Sequence, residues 1–257
     1  MPYEVLTKSF VAGILASVAC GLGVLPLLFR RVDLKKHTGI GYGLTGGLMF
    51  AASVYNLILP GLTLGAHELT LSEVIPVMGG ILLGATFLWG ADYFLSPQRL
   101  AQAHWQRWGT RKEILIFLTM SVHSIPEGVA VGVGFASEAV YAGNLGTYIA
   151  LAIAIHNIPE GLAVGIPLRS EGASIHKSFW AAFLTSLPQP LAALPAGLAS
   201  WFFQPLMPIL MGFAAGAMIF LILLEIIPEA LDSETPLRIA WSFTLGFCLM
   251  LLVQVLL

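Results

Sequence analysis

A chain of 257 residues that is 57% hydrophobic and 10% charged, with a mean hydropathy of +0.86, is excluded from the ordinary soluble class, which carries about 25% charge. Its formal net charge of −2 provides no general basic surface, so no nucleic-acid partner is expected. Apolar tracts long enough for helices of about 20 residues recur throughout, which leaves one transmembrane domain, 1–257, with the lipid bilayer as its solvent.

The N-terminus does not read as a signal peptide. Glu4 and Lys8 fall in its first nine residues, and the apolar stretch that follows is too long for an h-region and lacks a small-residue cleavage signal. It is therefore the first retained span. The fold class predicted is an all-α polytopic membrane protein of eight transmembrane helices, at about 9–29, 40–61, 73–95, 113–136, 145–167, 178–201, 207–229 and 237–256. Cys20 and Cys248 lie inside these apolar tracts without CxxC spacing and read as reduced packing residues before a disulfide or functional thiol.

Charge placement orients the spans. Arg30, Arg31, Lys35 and Lys36 follow span one, Arg99, Arg107, Arg111 and Lys112 follow span three, Arg169 and Lys177 follow span five, and Arg238 follows span seven. All these connectors belong on one side, so the basic 97–112 connector, with Trp105 and Trp108 as interfacial anchors, is cytoplasmic and both termini are external. Lys8 is the one basic residue left outside, while Glu68, Glu73 and Glu138 occupy external connectors, where they solvate loops or concentrate arriving cations. His67 beside Glu68 is a weak outer metal stop.

Two segments in the middle of the chain carry the chemistry. SVHSIPEGVAVGVGFAS at 121–137 and AIHNIPEGLAVGIPLRS at 154–170 share His, Ile, Pro, Glu and Gly in one order. In each, the histidine and glutamate are four residues apart, so His123 with Glu127, and His156 with Glu160, share a helical face. Consecutive spans run antiparallel, and the two faces can oppose each other as a central two-helix pair. Buried His and Glu are costly in lipid unless paired, hydrated or metal-bound, and imidazole nitrogen with carboxylate oxygen suits Zn²⁺, with Fe²⁺, Mn²⁺, Co²⁺ or Cd²⁺ compatible. Pro126 and Pro159 remove amide donors from the Val122 and Ile155 carbonyls. Ser124 and Asn157 follow the histidines and offer oxygens to the ion, to water or to the helix.

A weaker echo links span two to span seven. GYGLTGGLM at 41–49 and GFAAGAM at 212–218 share GxxxGxM, ending at Met49 and Met218, with Pro60 and Pro228 further on. GxxxG reads first as close helix packing, and the opposite directions of the two spans suggest inverted repeats. Met49 is a candidate soft ligand. Glu225 and Glu229 are candidates for a cytoplasmic release stop, whereas Asp92 reads as interfacial. In span six, SLPQP at 186–190 opens the helix at Pro188 and Pro190 and presents the Gln189 oxygen.

The paired HSIPEG and HNIPEG segments within eight spans resemble the ZIP, or Zrt/Irt-like, metal-transporter family, in particular its prokaryotic GufA-like branch. That resemblance covers most of the chain. It implies spans one to three related by inversion to six to eight, a homodimer, and location in a bacterial or archaeal plasma membrane. It also implies metal ligation by His123, Glu127, His156 and Glu160, with Met49 joining the first site. Ser124, Asn157 and Gln189 correspond to a second site, where Ser124 stands for a common asparagine and Gln189 for a usual glutamate; Leu224 stands where the family often has histidine before Glu225. The function expected is uptake of divalent transition-metal ions toward the cytoplasm, with no prosthetic group and the metal as substrate. The competing readings are a membrane metal sensor and an intramembrane zinc metallohydrolase, the latter without an HExxH segment.

Overall fold

The computed structural model describes residues 2–28, 38–64, 70–95, 111–141 and 143–256, and every regular element among them is helical. His67, Glu68 and the connector residues 96–110 lie outside the described residues, as do Arg30, Arg31, Lys35 and Lys36. The helices are α1 Pro2–Leu22, α2 Thr38–Thr63, α3 Leu71–Leu95, α4 Arg111–Tyr141, α5 Leu145–Ser170, α6 Ile175–Thr185, α7 Pro188–Phe202, α8 Leu206–Ser233 and α9 Pro236–Leu256. Since α6 and α7 are halves of one interrupted rod, the described residues form eight rods. Six are long and apolar enough to cross a membrane; α4, which bears His123 and Glu127, and the broken α6/α7 rod are not among them.

Several helix limits differ from those expected, two of them for reasons the contacts show. α1 starts at Pro2, because proline at a first helical position loses no bond and Lys8 pairs with Glu4 one turn back at 3.1 Å. α4 continues to Tyr141, past the expected 136, and its Glu138 then accepts from the amide and hydroxyl of Thr147 at the start of α5, at 3.1 and 3.2 Å. The turn between them uses Gly143 at φ 100°, a left-handed conformation that suits glycine. Glu73 is taken up in capping α3, where its carboxylate accepts the Thr70 amide at 3.1 Å.

The rods form two groups. α3 packs along α8 and α2 along α9, with α2 also touching α8; the second group joins α4 to α5 and α7, and α1 to α5, α6 and α7. Glycines set the seams inside each group. A Cβ at Gly80 or Gly84 would overlap the Ile209 or Phe213 carbonyl of α8, and one at Gly212 or Gly216 would overlap Val77 or Ile81 of α3. The GxxxG at 212–216 is thus a packing motif. Gly43 and Gly47 likewise meet Ser242 and Phe243 of α9. Among the described glycines, the nearest atoms to an added Cβ always belong to the same group. Between the groups, α4 lies on α8 and α2 on α5, and the core there contains Met207, Met211, Ala214, Ala215 and Met218 of α8 with Ala130, Val131 and Val133 of α4.

Two further irregularities bear on the centre. α2 and α8 each contain a π-helical stretch, Ser53–Ile58 and Ile222–Ile226, beginning four residues after Met49 and Met218 and leading into Pro60 and Pro228. A widened turn accommodates a proline whose missing N–H would otherwise leave a gap in the ladder. At the α6/α7 break, the carbonyls of Thr185 and Ser186 accept the hydroxyls of Ser124 at 3.0 Å and Ser17 at 2.9 Å. The opening expected at Pro188 is therefore present, and serines from α4 and α1 satisfy it.

Candidate metal centre

α4 and α5 run through Pro126 and Pro159 without interruption and present the repeated motifs to each other. Small residues allow the approach: Gly128 lies against the Gln189 backbone of α7, and Gly161 against the Cys20 carbonyl of α1. The backbones therefore converge, and polar side chains fill the middle.

The pairs that form cross between elements rather than within a motif. His156 Nε2 is 3.2 Å from Glu127 Oε1, with the two side chains 0% and 1% exposed. His123 Nε2 is 3.3 Å from Glu225 Oε1 of α8. Gln189 Nε2 donates to Glu127 Oε2. Asn157 Nδ2 donates to Gln189 Oε1 at 3.2 Å and to the Ala16 carbonyl at 3.1 Å. Shared helical faces brought these residues to the centre, but the rotational setting of neighbouring helices chose the partners.

The two motifs end up unequal. Both oxygens of Glu127 are engaged, whereas both oxygens of Glu160, Nδ1 of His156 and Oδ1 of Asn157 are buried without a hydrogen-bond partner. Unsatisfied buried acceptors are costly, and these belong to residues 156, 157 and 160 on adjoining faces of α5. An imidazole nitrogen, an amide oxygen and a carboxylate form a donor set for a borderline divalent cation. Among the described residues no three His, Cys, Asp or Glu side chains close on one point, so the candidate ligands stand as pairs around an unpaired Glu160.

Glu160 and His123 border a cavity of about 920 Å³, together with Met49, Glu225 and Glu229. It reaches the ends of α2, α3 and α8 at Thr38, Leu95 and Ser233. Glu127, His156, Asn157, Gln189 and Ser124 are not among the residues that line it. Ser124 donates to the Thr185 and Met120 carbonyls, a use consistent with a supporting role.

Comparison with known proteins gives the family of the chain. The profile of the ZIP zinc transporter family matches residues 95–254. The zinc transporter GufA of Myxococcus xanthus is 35% identical over 247 residues, which cover 93% of this chain and 96% of that protein. The chain belongs to the ZIP family. Zinc transporter ZIPB of Bordetella bronchiseptica is 34% identical over 248 residues, 95% of this ZIP chain and 79% of its own length. Other relatives are longer: this ZIP chain spans 36% of a 35%-identical Arabidopsis thaliana protein and 47% of human zinc transporter ZIP11.

Several cavity residues of this ZIP chain escaped the sequence reading. Asp232 continues the line begun by Glu225 and Glu229, at spacings of four and three that place all three on one face. That spacing was a usable signal. Asp92, read as interfacial, borders the same cavity. Tyr42, which lines the same cavity as Glu229, had no local signal, because only the packing of α2 on α8 brings them together.

Proposed function

We propose that this chain carries divalent transition-metal ions, Zn²⁺ foremost, across the bilayer toward the cytoplasm. The observation that carries the reading is the buried, unpaired acceptor set of His156, Asn157 and Glu160, of which Glu160 borders a cavity whose wall continues with carboxylates. The ion sheds part of its water at Glu160 and His156, with His123, Glu127 and Met49 as further ligands. It then meets Glu225, Glu229, Asp232 and Asp92 as successive release positions. Several modest sites in series permit both capture and departure.

Direction follows from charge. The cavity opens at the ends of α2, α3 and α8, which adjoin the basic connectors and so belong on the cytoplasmic side, with both termini external. Eight crossings in an inverted repeat are supported by the matching methionine, π-helical stretch and proline of α2 and α8, which run in opposite directions. Glycine-keyed seams inside each helix group, against a methyl- and thioether-lined boundary between them, support movement of α1 and α4–α7 as one body along α2, α3, α8 and α9. Likeness to GufA supports a prokaryotic plasma membrane, and the family resemblance supports a homodimer.

The test is zinc flux into sealed vesicles containing the purified chain. Wild type is expected to accumulate zinc, and His156→Ala and Glu160→Gln to lose most of that flux. Unchanged flux in both variants would overturn the site assignment, and zinc binding without flux in wild type would overturn transport.

A further inference from the structure

α1 supplies none of the ligands assigned above, yet two of its consecutive residues hold the centre in place. The Ala16 carbonyl accepts Asn157 Nδ2 of α5 at 3.1 Å. Ser17 is fully buried, and its Oγ lies 2.9 Å from the Ser186 carbonyl at the α6/α7 break and 2.9 Å from the Gly13 carbonyl one turn back. Its single proton therefore serves the seam between α1 and the broken rod. α1 comes this close because Gly13 has no side chain: a Cβ there would stand 2.7 Å from the Pro190 backbone of α7.

Two serines grip the break, and they act on different halves of it. Ser124 donates to the carbonyl of Thr185, the last residue of α6. Ser17 reaches the next carbonyl, that of Ser186, which also accepts the backbone amide of Gln189 at 3.0 Å. The Ser186 oxygen is thus the joint between α1 and the first turn of α7. From that turn the Gln189 side chain donates to Glu127 and accepts Asn157 Nδ2 at 3.2 Å. Asn157 is then held from two sides, by Ala16 and by Gln189, and its Oδ1 remains as the buried acceptor without a partner.

We infer that Ser17 is a positioning residue for the metal centre: through the Ser186 carbonyl its hydroxyl sets where α7 begins, and with that the placement of Asn157 and Glu127. This rests on the transport reading of the same centre, although Ser17 itself touches no ion. Binding groups must be held to within about 0.5 Å, and loss of a hydrogen bond that orients a metal ligand lowers metal affinity by about 10- to 100-fold. Ser17 acts at one remove from the ligands, so the lower end of that range applies.

The test is zinc titration and melting of the purified full-length chain. Ser17→Ala is expected to weaken zinc binding by about tenfold. Its melting temperature is expected to fall no further than that of Ser124→Ala, which removes a hydrogen bond of the same kind from the neighbouring carbonyl. Ser9→Ala removes another buried α1 hydroxyl, one without a hydrogen-bond partner, and is expected to leave zinc binding unchanged. Affinity within about threefold of wild type in Ser17→Ala would overturn the inference. So would a loss matched by Ser9→Ala, or one accompanied by a melt below that of Ser124→Ala. Ser17→Cys fills nearly the same space with a weaker donor and is expected to show the same loss, so the comparison stands even where Ser17→Ala does not fold. Undiminished affinity in Ser17→Ala beside intact wild-type flux sinks this inference alone; the expected loss in a chain whose wild type shows no flux sinks transport and leaves the positioning role standing.

Discussion

His123 Nε2 of α4 lies 3.3 Å from Glu225 Oε1 of α8, and this contact joins the two helix groups at the edge of the cavity. Glu225→Gln keeps the shape and removes the charge. A hydrogen bond to a charged group contributes about 1.5–3 kcal/mol, so zinc flux is expected to fall by about tenfold or more while zinc binding at Glu160 persists. Flux and binding measured on the same preparation check this; parallel loss of both would place Glu225 in the central site.

Ser124 gives a separable prediction. Its hydroxyl is spent on the Thr185 and Met120 carbonyls, so Ser124→Ala should lower thermal stability by about 1 kcal/mol and leave zinc affinity within about threefold of wild type. Melting and zinc titration distinguish the cases. A loss of affinity of about tenfold or more with an unchanged melt would make Ser124 a ligand.

The α3–α8 seam predicts opposite outcomes for two glycines of one helix. At Gly84 a Cβ would overlap the Phe213 carbonyl, so Gly84→Ala forces the seam apart at a cost of about 1–3 kcal/mol. At Gly90 nothing lies within 4 Å, so Gly90→Ala should be neutral or stabilising by up to about 1 kcal/mol. Melting temperatures of the two variants in one detergent decide the matter.

Protons compete with the metal for every ligand proposed. Imidazole and carboxylate bind zinc only when unprotonated, so lowering the pH from about 7.5 to about 5.5 should raise the zinc concentration needed for half-maximal uptake. Initial flux measured across that range checks the direction; a fall in half-saturation on acidification would contradict it.

Much of the fold was legible because lipid demands long apolar helices, and the two HxxxE motifs stood out as costly exceptions within them. Which side chains would meet was not legible. Spacing places His156 and Glu160 on one face, but the packing of α5 on α4 and α1 turns His156 toward Glu127 and leaves Glu160 unpaired. Ser124 was equally opaque, since its partner, the Thr185 carbonyl, becomes available only where α6 stops 61 residues later. The π-helical stretches were hidden as well; Pro60 and Pro228 announced an irregularity without saying that the helix would widen.

The boundary between the helix groups has one more implication. Flexible thioethers and small methyls form a surface without fixed teeth, so one group can advance along the other by side-chain rotations while its backbone bonds stay intact. Like a bearing, it tolerates wear but not grit. A bulky ring there, as in Ala214→Phe, should stop the protein in one pose while it stays folded, and would hold a working transporter still for inspection.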